Sequence, residues 1–542
     1  MMQPTQHGVP RTPYLITPYT PWQRLALWLM AALWLAALAQ FFVWWFNSAH
    51  VVTVTRFWVI TLAVGWITLL PGYFVFFVLR ARVANPAVPI PEEWRVAMVV
   101  TKVPSEPFAL VRETLEGMLR QRYPHDVWLA DEDPAPETIA WCERHGVHIS
   151  SRKGVAEYHR PDWPRRTRSK EGNLAYFYDH YGYDNYDFVV QLDADHVPEA
   201  GYLEAMLRPF VDPEVGYVSA PSICDRNAAE SWSARSRLYA EAQLHGIMQA
   251  GHSNGFAPLC IGSHYAVRTT ALKEIGGLGP ELAEDHSTTL MMNVAGWRGV
   301  HALGAIARGY GPQTFADFVI QEFQWARSLT AIFLDMTPRR QRSLSLAARF
   351  QFVFSQLWYP LFSTSMLAFL LLPVIALYST VAWVNVIYLE FLLRILPIVA
   401  CLLMISGFLA KLGHARPDTA KVVSWEMALF IFVRWPWSLL GCLVAVGDRL
   451  RRRRAAFRVT PKPGADRDTA LSARYSLPYL ALALIAISPV LLVPDIGSAG
   501  GYVIFTAINA LIYTGVFVLV TKAPKVDRVT ADELALATAK QR

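Results

Sequence analysis

A chain of 542 residues is too long for one ordinary domain. At 53% hydrophobic and 17% charged, with 19 Trp and 28 Phe, its composition has a membrane-protein profile. The net charge of +7 does not argue for nucleic acid, because the cations gather beside apolar segments, where anionic headgroups and the positive-inside bias account for them. Cys142, Cys224, Cys260, Cys401 and Cys442 show no CxxC and no paired spacing, which argues against a disulfide framework or zinc site and suits a reducing compartment.

The first apolar run is too long for a signal peptide and lacks a small-residue cleavage site, so residues 1–24 are expected to form a cytosolic segment. Residues 25–46 and 57–79 are uncharged runs of about 22 residues, enough to cross a hydrocarbon core. Trp44, Trp45 and Trp58 suit an interfacial belt, and Arg80 and Arg82 after the second span place the next region in the cytosol. Residues 25–82 are therefore two crossings, and 83–340 a soluble domain of ordinary charge density.

Within that domain, strand-like runs alternate with helical ones. A strand at 94–101, "WRVAMVVT", leads into an amphipathic stretch through Leu119, and "DVWLADED" at 126–133 is a strand running into acids. A helix near 137–145, a strand at 147–150, a basic loop, a helix from Gly172 and a strand at 187–192 follow. The alternation predicts a mostly parallel sheet covered by helices, with ligands bound beyond the carboxyl ends of the strands.

The chemistry falls at those ends. "FVVQLDADHVPE" carries Asp193 and Asp195 off the tip of a strand; residues two apart in extended backbone project to one side, so both carboxylates can approach one hard cation, Mg2+ or Mn2+. Alone, a D-x-D also suits a solvated turn. "TRSKEGNLAYF" offers Lys170, Gly172 and Asn173 at a helix start that favours anions, or equally an ordinary cap. In "ELAEDHSTTLMMNVAGWRGV", Glu284, Asp285 and His286 open an amphipathic helix, with Asp285 a candidate general base or a helix-start acid. In "QEFQWARS", Trp325 is a stacking surface for a sugar or an interfacial Trp.

Beyond the domain, 352–378 is a third crossing and 381–410, interrupted by Glu390 and Arg394, a fourth. Residues 425–446 contain Glu426 and Arg434 and precede "DRLRRRR", so they are expected to lie flat at the surface. Residues 476–494 and 501–521 complete six crossings, which keep the cluster at 449–454, Lys522 and Lys525 inside. The divisions are thus 341–412, 413–475, 476–522 and a tail at 523–542.

Taken in order, these motifs resemble the processive family 2 glycosyltransferases of the bacterial cellulose synthase catalytic-subunit type, from about residue 89 onward. The resemblance implies an α/β GT-A (Rossmann-like) cytosolic domain inserted between about six transmembrane helices, with cytosolic interfacial helices. It implies an inverting transfer that polymerises a UDP-sugar, UDP-glucose by default, into a β-linked glycan exported through the chain's own membrane channel at a bacterial inner membrane. By the same resemblance Asp131 and Glu132 contact uridine, and Lys170 and Asn173 lie near the nucleotide. Asp195, with Asp193 and His196, meets the metal, and Asp285 is the general base. Gln321, Gln324 and Trp325 match Q-x-x-R-W, where the Trp stacks the acceptor, and Thr460 and Lys462 of "FRVTPK" approach the phosphates from a gating loop. Three departures stand out. Ala283 replaces the Thr of T-E-D; Gln324 replaces an Arg that binds the diphosphate, with Arg327 as the compensating cation; and no cyclic-di-GMP-binding barrel is expected. Expected partners are the UDP-sugar donor, the growing glycan and the bilayer, with periplasmic or accessory export subunits as further candidates. The competing readings are non-processive transfer of one sugar to a lipid or protein, and a catalytically impaired export or scaffold subunit.

Overall fold

The computed structural model describes residues 13–167, 169–253, 255–281, 283–452 and 473–522. Its centre is a seven-stranded sheet built from β1 (Val96–Lys102), β2 (Asp126–Asp131), β3 (His148–Ser150), β4 (Phe188–Asp193), β5 (Val215–Ser219), β6 (His264–Arg268) and β7 (Arg298–His301). The spatial order is β7-β5-β6-β4-β1-β2-β3. Four pairings are parallel, β1 with β2 and β4, β2 with β3, and β5 with β7. β6 runs antiparallel between β4 and β5, so the expected mostly parallel sheet carries one reversed strand.

The sequence of β1 explains why it sits at the middle. All seven residues of "VAMVVTK" are buried, and alternate side chains feed two different cores. Val96, Met98 and Val100 join Val111, Leu115 and Met118 of the Phe108–Leu119 helix. Ala97 and Val99 join Leu174 and Phe177 of the Lys170–Phe177 helix and Met292 of the Glu284–Val294 helix. A strand covered on both faces must be apolar at both parities, which is why this run does not alternate.

After β3 the chain crosses back over β1 to add β4 on its other side. The ends of the three strands are level: Lys102 of β1 pairs in register with Asp131 of β2, and Thr101 with Asp193 of β4. This reversal of strand order opens a crevice at the carboxyl ends, where open α/β sheets bind ligands.

Six helices among the described residues are long and apolar enough to cross a membrane: Pro21–Trp45, Val54–Leu79, Leu346–Tyr378, Tyr388–Lys411, Trp425–Arg451 and Tyr502–Thr521. The chain is a multi-pass membrane protein. The number matches the expectation but the set does not. The Trp425–Arg451 helix, expected to lie flat, is long and apolar enough to cross, whereas Leu477–Leu492, expected to cross, has 16 residues, about 24 Å at 1.5 Å per residue.

The Trp425–Arg451 helix keeps its charges because the protein satisfies them. Glu426 pairs with Arg235 at 3.1 Å. Arg434 donates to Glu322 at 2.9 Å and lies 3.4 Å from the Tyr359 hydroxyl. Glu322, wholly buried in the Phe315–Ala331 helix, receives Arg237 of the Trp232–Gln243 helix on its other oxygen at 2.7 Å. Three helices thus converge on one carboxylate, and a fourth, Leu346–Tyr378, contributes Tyr359. Removing one member of such a buried set strands the others. Glu322→Ala is expected to destabilise the fold by about 3–5 kcal/mol, read as a lower thermal midpoint of the detergent-solubilised chain. A wild-type midpoint would mean that the two guanidiniums do not depend on this carboxylate.

Candidate active site

Asp131 ends β2 fully buried. The Lys102 ammonium lies 3.3 and 3.1 Å from its two oxygens, and the Asp133 amide donates to Oδ1 at 3.0 Å. Oδ2 accepts no hydrogen bond among the described residues despite the nearby ammonium, and the buried Asn173 Oδ1 accepts none either. The Asn173 amide is oriented by donation to the Ala130 carbonyl at 2.8 Å. Two buried acceptors without donors therefore flank the crevice at the switch point, an arrangement that native interiors rarely leave unanswered. Glu132 is employed differently. It pairs with Arg152, itself fully buried and donating to the Tyr158 and Arg166 carbonyls at 2.8 and 2.7 Å, so the structure gives Glu132 to the basic loop rather than to the crevice.

β4 stops at Asp193, and Ala194 and Asp195 turn, closed by the His196 amide on the Asp193 carbonyl at 3.2 Å. The extended D-x-D expected from spacing is thus half strand, half turn. The turn still brings the groups together: ligand atoms of Asp193, Asp195 and His196 lie within 4.8 Å of one another. Asp195 is fully buried, with the Tyr310 amide donating to Oδ2 at 3.2 Å and His196 Nδ1 3.3 Å from Oδ1. Burial pulls the His196 imidazole down, but Asp195 overrides it and pushes the group up to about 10. Two carboxylates and an imidazole this close fit a divalent cation.

Lys170 lies between this cluster and Asp285. Its ammonium donates to Asp193 Oδ1 at 2.7 Å and to the Gly262 carbonyl at 2.5 Å. A Cβ on Gly262 would stand 3.3 Å from Asp285 Oδ2, so Lys170 and Asp285 meet across this glycine. Burial pulls the Lys170 ammonium down, but Asp193, with Glu284 and Asp285, holds it above the ordinary lysine range. Burial raises the adjacent carboxyls of Glu284 and Asp285, an effect that Lys170 partly offsets. Asp193, Asp195, Lys170 and Asp285 are thus drawn together, with Asp131 at the end of β2 on the other side of β1.

The motif around Trp325 lies on the Phe315–Ala331 helix. Trp325 is 40% exposed, and the Arg237 guanidinium covers its ring at 4.6 Å. Gln321 Oε1 accepts from Arg237. Arg327, expected to compensate for the missing arginine, is bound to Asp448 of the Trp425–Arg451 helix at 2.9 and 2.5 Å. Gln324 also has an interaction within the fold. Thr460 and Lys462 lie outside the described residues. Sequence reasoning missed Lys102, although its place at the end of the strand beside "DVWLADED" was a usable signal. Arg237, Arg152 and Tyr310 had none, because each acts through a distant segment.

A model of the family described as glycosyl transferase family group 2 matches residues 188–396, from β4 through Trp325 into the membrane helices. The chain carries a family 2 glycosyltransferase domain. Over 286 residues, 51% of this chain, it is 27% identical to cellulose synthase 1 of Komagataeibacter xylinus, covering 18% of that protein. Over 282 residues, 50% of this chain, it is 27% identical to the UDP-forming cellulose synthase 1 catalytic subunit of the same organism, covering 35% of it. The glycosyltransferase domain is therefore homologous to bacterial cellulose synthase catalytic subunits, while the match spans little more than a third of the longer-covered relative. A mannosyltransferase from Pyrobaculum calidifontis, solved with GDP-mannose and Mn2+, is 15% identical with a TM-score of 0.36, covering 83% of this chain and 99% of that one, a likeness too slight to build on.

The metal set yields a test that touches no ligand. A Cβ on Gly309 would overlap the His196 imidazole, so Gly309→Ala must displace that ring. Mn2+ affinity of the full chain, followed by electron paramagnetic resonance, is expected to fall about tenfold or more, as when the support of a ligand is disturbed. Unchanged affinity would remove His196 from the set.

Proposed function

We propose that this chain is an inverting glycosyltransferase that polymerises a UDP-sugar, UDP-glucose first among donors, into a β-linked polysaccharide and passes it outward between its own membrane helices. The observation that carries the reading is Lys170, whose ammonium is held by Asp193 at 2.7 Å and by the Gly262 carbonyl beside Asp285. One side chain links the cation-ligand cluster to the candidate base.

Asp131 Oδ2 and Asn173 Oδ1, buried without hydrogen bonds, are acceptors for the N–H of uracil and a ribose hydroxyl. Asp193, Asp195 and His196 would hold Mg2+ or Mn2+, which would offset negative charge on the departing diphosphate. Lys170 supplies a second, fixed cation there; it is preorganised and needs no reorientation as charge develops. Asp285 takes the proton of an acceptor hydroxyl while that oxygen bonds the anomeric carbon and the bond to UDP breaks. A carboxylate raised by burial is a stronger base than an ordinary one. Trp325 presents its exposed ring to the acceptor sugar. Arg80 and Arg82, which follow the second apolar helix, support a domain on the cytosolic side of a bacterial inner membrane.

A second reading, a catalytically impaired export subunit, rests on Gln324 in place of the family's arginine and on Arg327 being held by Asp448. The full chain in nanodiscs separates the two. Given UDP-glucose, UDP-N-acetylglucosamine or UDP-glucuronate with Mg2+ or Mn2+, it is expected to release UDP and accumulate glucan from the first. Asp285→Asn is expected to lower that rate by about a hundredfold or more. Absence of UDP release from every donor, or wild-type polymerisation by Asp285→Asn, would overturn the assignment.

A further inference from the structure

The side chain that fixes the acceptor platform comes from a segment outside every motif discussed so far. Arg237 of the Trp232–Gln243 helix is 8% exposed, and its guanidinium is gripped from several sides by one neighbouring helix. Its carbon centre lies 4.6 Å from the Trp325 ring and 4.9 Å from the Phe318 ring, two aromatic residues a heptad apart. In its plane, one terminal nitrogen donates to Gln321 Oε1 and the other to Glu322 Oε1 at 2.7 Å. Glu322 cannot swing away, because Arg434 holds its second oxygen at 2.9 Å.

We infer that Arg237 is a positioning residue for the acceptor: it locks the Trp325 indole in one orientation, with one face on the guanidinium and the exposed remainder turned to the sugar. This rests on the reading that Trp325 receives the acceptor. The physical case is one of rotamer entropy and geometry. A 40% exposed indole has room to turn about its side-chain bonds, and each turned rotamer is a platform at the wrong angle. A planar guanidinium laid against one face removes those rotamers. Its two terminal nitrogens, donating to Gln321 and Glu322, keep the plane itself from tilting, while Nε donates to no partner among the described residues. The role is not one of charge alone, since a lysine ammonium has neither plane nor fork. Nor is Arg237 a catalytic residue: its hydrogen-bonding partners are side chains of the Phe315–Ala331 helix, and it acts through Trp325.

The test uses the full chain in nanodiscs, with UDP-glucose as donor and cellopentaose as acceptor. Arg237→Lys keeps a cation opposite Glu322 and removes the plane. It is expected to raise the acceptor KM about tenfold while kcat and the donor KM stay within about twofold, the pattern of lost acceptor binding rather than lost chemistry. In a Trp325→Ala background the same substitution is expected to move the acceptor KM by less than about twofold, because the platform it aligns is gone. If Arg237→Lys fails to fold, Phe318→Leu removes the second ring of the clasp without touching a charge and carries the same two expectations. An unmoved acceptor KM, an equal rise with and without Trp325, or a parallel fall in kcat would overturn the inference. A wild-type chain that transfers no glucose to cellopentaose would instead sink the functional reading beneath it, a distinguishable result.

Discussion

A carboxylate buried as completely as that of Glu322 is tolerable only with its charge answered on the spot. Both answers come from other helices, Arg237 and Arg434 at 2.7 and 2.9 Å, and Glu241 stands 3.9 Å from the second of them. The result is a requirement more than a gain in stability: none of the three helices can leave without exposing an unpaired charge in a dry interior. One of them, Trp425–Arg451, is among the six apolar helices, and another carries Trp325. The position of Trp325 relative to the Trp425–Arg451 helix is therefore constrained by ion pairing as well as by apolar packing.

The sheet imposes a second constraint of a different kind. Because β4 is added on the far side of β1 from β2 and β3, the acids that end β2 and β4 open onto one crevice from opposite sides, with Lys102 of β1 between them. No side chain needs to reach far. The Lys170–Phe177 helix, packed across the same sheet, delivers Asn173 toward β2 and Lys170 toward β4. Lys170 pairs with Asp193, and the Gly262 carbonyl as second partner holds its ammonium between Asp193 and the start of the Glu284–Val294 helix.

Much of this could be read along the chain. β1 was legible because burial on both faces forces an unbroken apolar run, and β4 because two acids follow its last apolar residue. Asp285 was legible as an acid at a helix start. What could not be read was partnership. Nothing local distinguishes Glu132, drawn inward by the buried Arg152, from Asp131 one position earlier, although the pleat of the strand sends them apart. Arg327 looked able to replace a missing guanidinium because sequence spacing says nothing about Asp448, 121 residues further on. The two helices whose membrane status changed rank, Trp425–Arg451 and Leu477–Leu492, were weighed by the charges and lengths of isolated segments. Arg434 looks prohibitive for an apolar helix until Glu322 is placed beside it.

That exchange of roles follows from the Phe315–Ala331 helix itself. Within seven residues it carries Gln321, Glu322, Trp325 and Arg327, directed respectively at Arg237, at both Arg237 and Arg434, at the exposed side of the site, and at Asp448. At 3.6 residues per turn, Gln321, Glu322 and Trp325 lie within about 100° of one another, which is why Arg237 reaches all three, while Arg327 points to the opposite side. The helix is bolted to the Trp425–Arg451 helix at two points five residues apart, Glu322 with Arg434 and Arg327 with Asp448. A displacement of that helix would reach Trp325 through two ion pairs and through apolar contact such as Phe318 against Phe430.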